Sequence, residues 1–78
     1  MNVFDTIQEV VANYADGKLI GHDELLADNG IDSVAIIEII LELEEKFNVE
    51  FAPDQLNYQT LKCIRTIGEY FEKELKNM

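Results

Sequence analysis

Gly30-Ile31-Asp32-Ser33-Val34-Ala35-Ile36-Ile37-Glu38-Ile39-Ile40-Leu41-Glu42-Leu43-Glu44-Glu45-Lys46-Phe47 is the stretch on which the reading of the fold turns. It opens on turn chemistry and continues as a helix carrying more apolar side chains than one buried face requires. With Val34 at zero and about 100° per residue, Ile36, Ile39, Ile40, Leu43 and Phe47 fall within roughly 100° of one another, the arc a core-facing helix buries. Val34, Ile37 and Leu41 lie on an adjoining arc. Glu44 borders that second stripe on one side, and Glu38, Glu42 and Glu45 border it on the other. An apolar stripe edged by carboxylates suits a partner site, with apolar contact giving affinity and charge giving register. Packing of Ile37 and Leu41 beneath a neighbouring loop stays open, since single exposed apolar residues are common.

Outward from this helix, the rest of the chain also reads as helical. Val3, Phe4, Ile7, Val10, Val11 and Tyr14 recur at helical spacing, with Asn2 as cap, Asp5 in the first turn and Gly17 as the expected stop. The long connection that follows contains Gly17, Gly21, Asp23, Asp28, Asn29 and Gly30, and Leu19, Ile20, Leu25 and Leu26 are expected to pin it to the core. A short helical turn is expected near Asp23–Leu26. The second helix is predicted from about Ser33 to Lys46. Val49-Glu50-Phe51 reads as briefly extended, and Pro53 opens a short helical turn through Asn57. Thr60 is the expected cap of a last helix in which Leu61, Ile64, Ile67, Phe71 and Leu75 recur, with Lys73 and Lys76 near its C-terminus. No strand pattern or repeat emerges. The expected fold is all-α, a four-helix bundle of three longer helices and a short third one, forming a single domain over residues 1–78. A long first connection lets the first two helices take either relative direction.

Composition narrows the partners. The chain has 78 residues, six basic against sixteen acidic, and a net charge of −10. That balance repels a phosphate backbone and anionic lipid, so nucleic acid and membrane surfaces are disfavoured and basic protein patches are favoured. No apolar run reaches the roughly eighteen residues of a membrane span, and no basic segment precedes an apolar one as in a secretory signal. The single cysteine, Cys63, excludes an internal disulfide and suits a reducing compartment, so a cytoplasmic monomer is expected.

Competing site chemistries fail on spacing. A calcium loop needs glycine at its sixth position and glutamate at its twelfth. Counted from Asp28, those positions are Ser33 and Ile39; counted from Asp23, they are Asp28 and Val34. A weak divalent-cation contact among these carboxylates stays open. His22 has no second histidine or cysteine partner for zinc, and no serine–histidine–acid set is implied. His22 reads as a loop residue, Cys63 as a buried thiol, and Phe51 and Tyr58 as core closures over the second helix. No credible catalytic set is present, so the chain does not read as an enzyme.

Ser33 itself has two readings. Its hydroxyl can cap the helix it opens, or it can be an exposed attachment point in the favourable field of a helix N-terminus. Gly30 permits the tight turn before it, and Asp32 suits capping or modification chemistry. Gly30-Ile31-Asp32-Ser33-Val34 matches the Gly-x-Asp-Ser-Leu/Val signature of the phosphopantetheine-binding carrier proteins (acyl, peptidyl and D-alanyl), which the whole chain resembles. Glu38 five residues after the serine, Leu43-Glu44-Glu45-Lys46-Phe47 and Thr60-Leu61 extend the resemblance. It implies a right-handed four-helix bundle and a 4′-phosphopantetheine arm on Ser33 carrying an acyl or aminoacyl thioester. It also implies a docking face of Val34, Ile37, Glu38, Leu41, Glu42 and Glu45. The implied partners are a phosphopantetheinyl transferase, an adenylating or acyl-loading enzyme, and a downstream synthase or transferase. Asn29, where the fatty-acid-synthesis pattern has leucine, Ala35, where it often has an acid, and Leu56-Asn57-Tyr58-Gln59-Thr60-Leu61 look closer to peptidyl, D-alanyl or specialised acyl carriers. The alternative is an unmodified helical adaptor acting only through the second helix.

Overall fold

The computed structural model describes residues 2–77, and among them every regular element is helical. Four α-helices occur: α1 (Val3–Ala12), α2 (Ser33–Phe47), α3 (Tyr58–Leu61) and α4 (Ile64–Lys76). Single 3₁₀ turns occupy Leu26–Asn29 and Pro53–Gln55. The expected all-α bundle with three longer helices and a short third one is what forms.

The core follows the helical periodicity. Ile7, Val10 and Val11 of α1, Ile39, Ile40 and Leu43 of α2, and Ile64, Ile67 and Phe71 of α4 are buried together. α1 packs on both α2 and α4. One end of the core is aromatic: Phe51 stacks on Tyr70 with centroids 4.0 Å apart, and Phe71 meets Phe47 at 5.0 Å. The Tyr70 hydroxyl accepts the Ala52 N–H at 2.9 Å, so the ring's polar tip is satisfied where the segment after α2 crosses it.

α1 starts as expected, with Asn2 Oδ1 accepting the Phe4 and Asp5 N–H groups. Its regular part ends at Ala12, earlier than Gly17. Tight turns then carry the chain through Asp16 and Gly17, both in the left-handed region, and the Gly17 N–H closes back on Ala12 O at 2.8 Å.

The long connection to α2 is fastened rather than loose. Ile20, Leu26 and Ile31 are buried, whereas Leu19, expected to be an anchor, is 76% exposed. The Gln8 amide grips the backbone of Ile20 on both sides, donating to its carbonyl at 2.5 Å and accepting its N–H at 3.0 Å. That grip turns the Ile20 side chain inward and leaves its neighbour facing solvent. On the α4 side, the Arg65 N–H donates to His22 O, the Arg65 guanidinium binds both oxygens of Asp23, and His22 stacks on Phe4. The 3₁₀ turn falls at Leu26–Asn29 rather than Asp23–Leu26, because the Leu26 N–H is committed to Lys62 O at 2.9 Å before the turn begins.

Thr60 does not cap the last helix. Asn57 caps α3 through Thr60 N–H at 3.1 Å, which places Thr60 inside that helix. Asn57 thus opens α3 instead of closing the turn begun at Pro53, which ends at Gln55. Cys63 is extended (φ −154°, ψ 168°), separates α3 from α4, and donates its N–H to Thr66 Oγ1 at 3.4 Å. The break leaves Lys62 O available to the Leu26 N–H. Cys63 is buried, as expected. Tyr58, expected to close the core, is 61% exposed, because it stands at the solvent-facing start of α3, while Phe51 is buried.

Two substitutions test this packing. A Cβ on Gly68 would lie well inside van der Waals contact of the Phe4 ring. Gly68→Ala should therefore lower stability by about 1–3 kcal/mol from overpacking, less about 1 kcal/mol of helix-propensity gain; urea denaturation measures this, and Phe4→Leu should restore much of the loss. The Arg65 guanidinium holds the Asp23 carboxyl below its ordinary range. The resulting stability is complete above the unfolded carboxylate's range and disappears as pH falls through the lowered value. Melting curves should show wild type above Asp23→Asn near neutrality and the two converging in strong acid.

Candidate functional site

The connection that precedes α2 sets the position of Ser33. The 3₁₀ turn ends at Gly30, whose φ of 79° is a left-handed conformation that glycine adopts without strain. Ile31 follows as a fully buried anchor, its N–H bonded to Leu26 O at 3.2 Å. Asp32 is the N-cap of α2, with Oδ1 accepting the Ala35 N–H at 2.8 Å. Capping is thus done by the aspartate. Ser33 is the first residue inside the helix and is exposed. Because the Ala35 N–H is taken by Asp32 and the Ile36 N–H by Asp32 O, the free donors of the first turn are those of Ser33 and Val34.

Beside Ser33 lies a cavity of about 420 Å³, with walls that include Ile31, Ile36 and Leu61 inside and Ile37, Leu56 and Tyr58 toward the mouth. Its lining is mostly apolar, with Asp32, Ser33, Asn57 and Lys62 among its polar members. A larger but shallower groove of about 810 Å³ lies at the other end of α2 among Glu42, Glu44, Glu45 and Glu50. Ser33 is not part of that groove.

The second stripe of α2 is exposed: Val34 is 67%, Leu41 56% and Ile37 43% accessible. None of the three is packed beneath the first connection. Glu38 and Glu45 are exposed alongside them. Glu42 is different. It is half-buried and accepts a hydrogen bond from the Tyr14 hydroxyl at 2.9 Å. That bond and the nearby Glu42 and Glu38 charges keep the phenol's proton on, raising its pKa. Glu44, on the stripe's other border, accepts the Phe51 N–H at 2.6 Å and belongs to the packing of the next segment.

Sequence periodicity thus placed Val34, Ile37, Leu41, Glu38 and Glu45 on one open face. It did not reveal the roles of Ile31 or Tyr14: an isolated isoleucine carries no positional signal, and Tyr14 meets Glu42 across 28 residues. Asn29 donates to Leu25 O at 3.0 Å and accepts from Lys18 Nζ at 3.2 Å, tying the turn before Gly30 to the first connection. Among the described residues no group of three or more acidic, histidine or cysteine side chains could hold a metal ion. Among the described residues no helix is long and apolar enough to cross a membrane.

A short helical bundle whose longest helix begins with an uncommitted serine at a cavity mouth has the architecture of a carrier protein. Comparison with known proteins agrees: residues 4–71 match the family described as the phosphopantetheine attachment site. Acyl carrier proteins are among its relatives. That of Sulfurovum sp. (strain NBC37-1) is 32% identical over 88% of this chain and 89% of its own length. That of Wolinella succinogenes is 38% identical over 88% of both chains. That of Helicobacter pylori (strain J99) is 38% identical over 70% of this chain and 74% of its own. The chain belongs to the phosphopantetheine-binding carrier family, related to the acyl carrier proteins. The prosthetic group is therefore a covalent 4′-phosphopantetheine, and the protein is a carrier rather than an enzyme, acted on by a phosphopantetheinyl transferase and by synthase partners.

The division of α2 into two stripes has a direct check. Ile39→Ala, at a fully buried position, should cost about 2–5 kcal/mol. Ile37→Asp should change unfolding free energy by no more than about 0.5 kcal/mol, as an exposed substitution does. Equal losses in the two urea titrations would place Ile37 in the core.

Proposed function

We propose that Ser33 bears the phosphopantetheine arm and that the protein presents an acyl or aminoacyl group on it to partner enzymes. The observation that carries this reading is the handing of the capping role to Asp32, which leaves the Ser33 hydroxyl exposed at the mouth of an aliphatic cavity. The residues present fit the group. The free N–H groups of Ser33 and Val34 can donate to phosphodiester oxygens at the positive end of α2. Gly30 and the buried Ile31 fix the approach of the chain, and the cavity offers apolar walls beside the attachment point. Once attached, the group supplies a terminal thiol on which the cargo is held as a thioester.

Val34, Ile37 and Leu41, with Glu38, Glu42 and Glu45 around them, form the docking face in this proposal. The net charge of −10 attracts loading enzymes and synthases with basic rims, while the aliphatic stripe holds them once docked. The bound Asn29, in place of the leucine of the fatty-acid-synthesis pattern, supports a specialised pathway rather than primary fatty-acid synthesis. The single free cysteine, Cys63, suits a reducing compartment such as the cytoplasm. The exposed stripe would equally serve an adaptor that is never modified, and one experiment separates the two readings. Incubation with coenzyme A and a broad-specificity phosphopantetheinyl transferase should add one phosphopantetheine by intact mass, and Ser33→Ala should abolish the gain. An unchanged wild-type mass favours the adaptor, and a gain that persists in Ser33→Ala moves the attachment residue.

A further inference from the structure

The docking face proposed above lies on α2, yet one of its carboxylates is held from another element. Tyr14 belongs to the turns that follow α1, its N–H bonded to Val11 O at 2.9 Å, with the segment closed by the Gly17 N–H to Ala12 O bond. Its ring packs on the core while its hydroxyl reaches across to Glu42 Oε1 at 2.9 Å. Of the three carboxylates that border the stripe on that side, Glu38 and Glu45 are exposed; Glu42 is half-buried and takes the phenol's 2.9 Å hydrogen bond, with Glu38 a weaker neighbour of the same hydroxyl.

Resting on the docking-face reading, we infer that Tyr14 is a positioning residue for partner recognition, holding the Glu42 carboxylate ready for a guanidinium or ammonium group of a basic partner. A glutamate at the surface of a helix samples several rotamers, and fixing such a side chain on binding costs about 0.5–1.5 kcal/mol. The Tyr14 bond fixes Glu42 before the partner arrives. It engages one lone pair of Oε1 and leaves Oε2 and the remaining acceptor sites for the incoming cation. A phenol is protonated at neutral pH in any case and so can donate; the Glu42 hydrogen bond and the Glu42 and Glu38 charges raise its pKa further. Glu38 and Glu45, without this restraint, contribute chiefly long-range attraction, whereas Glu42 sets register.

The test uses the full chain as substrate of a broad-specificity phosphopantetheinyl transferase with coenzyme A, read as KM and kcat for the carrier. Tyr14→Phe keeps the ring and removes the donor. It should raise KM about two- to thirteenfold, the range given by the cost of fixing one side chain, with kcat unchanged. Glu42→Asp keeps the charge, shortens the side chain out of the phenol's reach and leaves Tyr14 intact, and it should raise KM to a similar extent. In a Glu42→Gln background the amide oxygen still accepts from Tyr14 but the charge is gone. There Tyr14→Phe should change KM less than twofold. A merely structural bond would instead give the same change in both backgrounds. Wild-type KM in Tyr14→Phe or in Glu42→Asp, or an equal rise with and without the Glu42 charge, overturns the inference. Ile37→Asp and Glu45→Gln keep the two levels apart. If neither raises KM, the docking face itself is wrong and this inference goes with it. If both raise KM while Tyr14→Phe does not, only the role of Tyr14 fails.

Discussion

Everything at the Ser33 end of the molecule depends on how the connection between Ala12 and Ser33 is held. A polar, glycine-rich segment of this length has a large conformational entropy, and only burial of its own aliphatics with satisfied backbone groups can order it. Ile20, Leu26 and Ile31 supply the burial. Gln8 supplies a donor and an acceptor from α1, Lys62 a carbonyl, and Arg65 a backbone N–H and a guanidinium. α2 therefore starts where two other helices dictate. Ser33 is a surface residue whose coordinates are fixed by the interior.

Legibility in the sequence followed the range of the interaction. The two stripes of α2, the Asn2 cap, the buried Cys63 and the buried Phe51 rest on local periodicity or residue type, and they appear where the pattern put them. The misreadings of Leu19 and Thr60 were decided elsewhere in the chain. Leu19 and Ile20 are adjacent and equally apolar, and the grip of Gln8 selects which one turns inward. Thr60 is as good a cap as Asn57, yet the chain breaks at Cys63, where the Lys62 carbonyl meets Leu26. For the candidate site, the signature and its exposed face were readable, whereas the transfer of capping to Asp32 and the Tyr14 contact needed coordinates.

The acidic residues divide by task more sharply than a net charge of −10 suggests. Asp32 caps α2, Glu44 holds the Phe51 N–H, Glu24 accepts the Gly21 N–H at 2.7 Å, and Asp23 meets Arg65. These carboxylates act on the fold through direct hydrogen bonds. Glu38, Glu45 and Glu50 face solvent, where their reach is limited to about a Debye length. One set shapes the molecule and the other advertises it.

The extended residue between α3 and α4 carries a consequence for how such a protein diversifies. α3 begins on its own Asn57 cap and ends before Cys63, so its registration is independent of the periodic core face that α4 presents. Leu56, just before the Asn57 cap, and Tyr58, the first residue of α3, line the cavity beside Ser33 and are exposed. Exchanges at these positions can reshape the pocket while Ile64, Ile67 and Phe71 stay untouched. One wall of the cavity is thereby open to change while the opposite wall, Ile31 and Leu61, stays bound to the core.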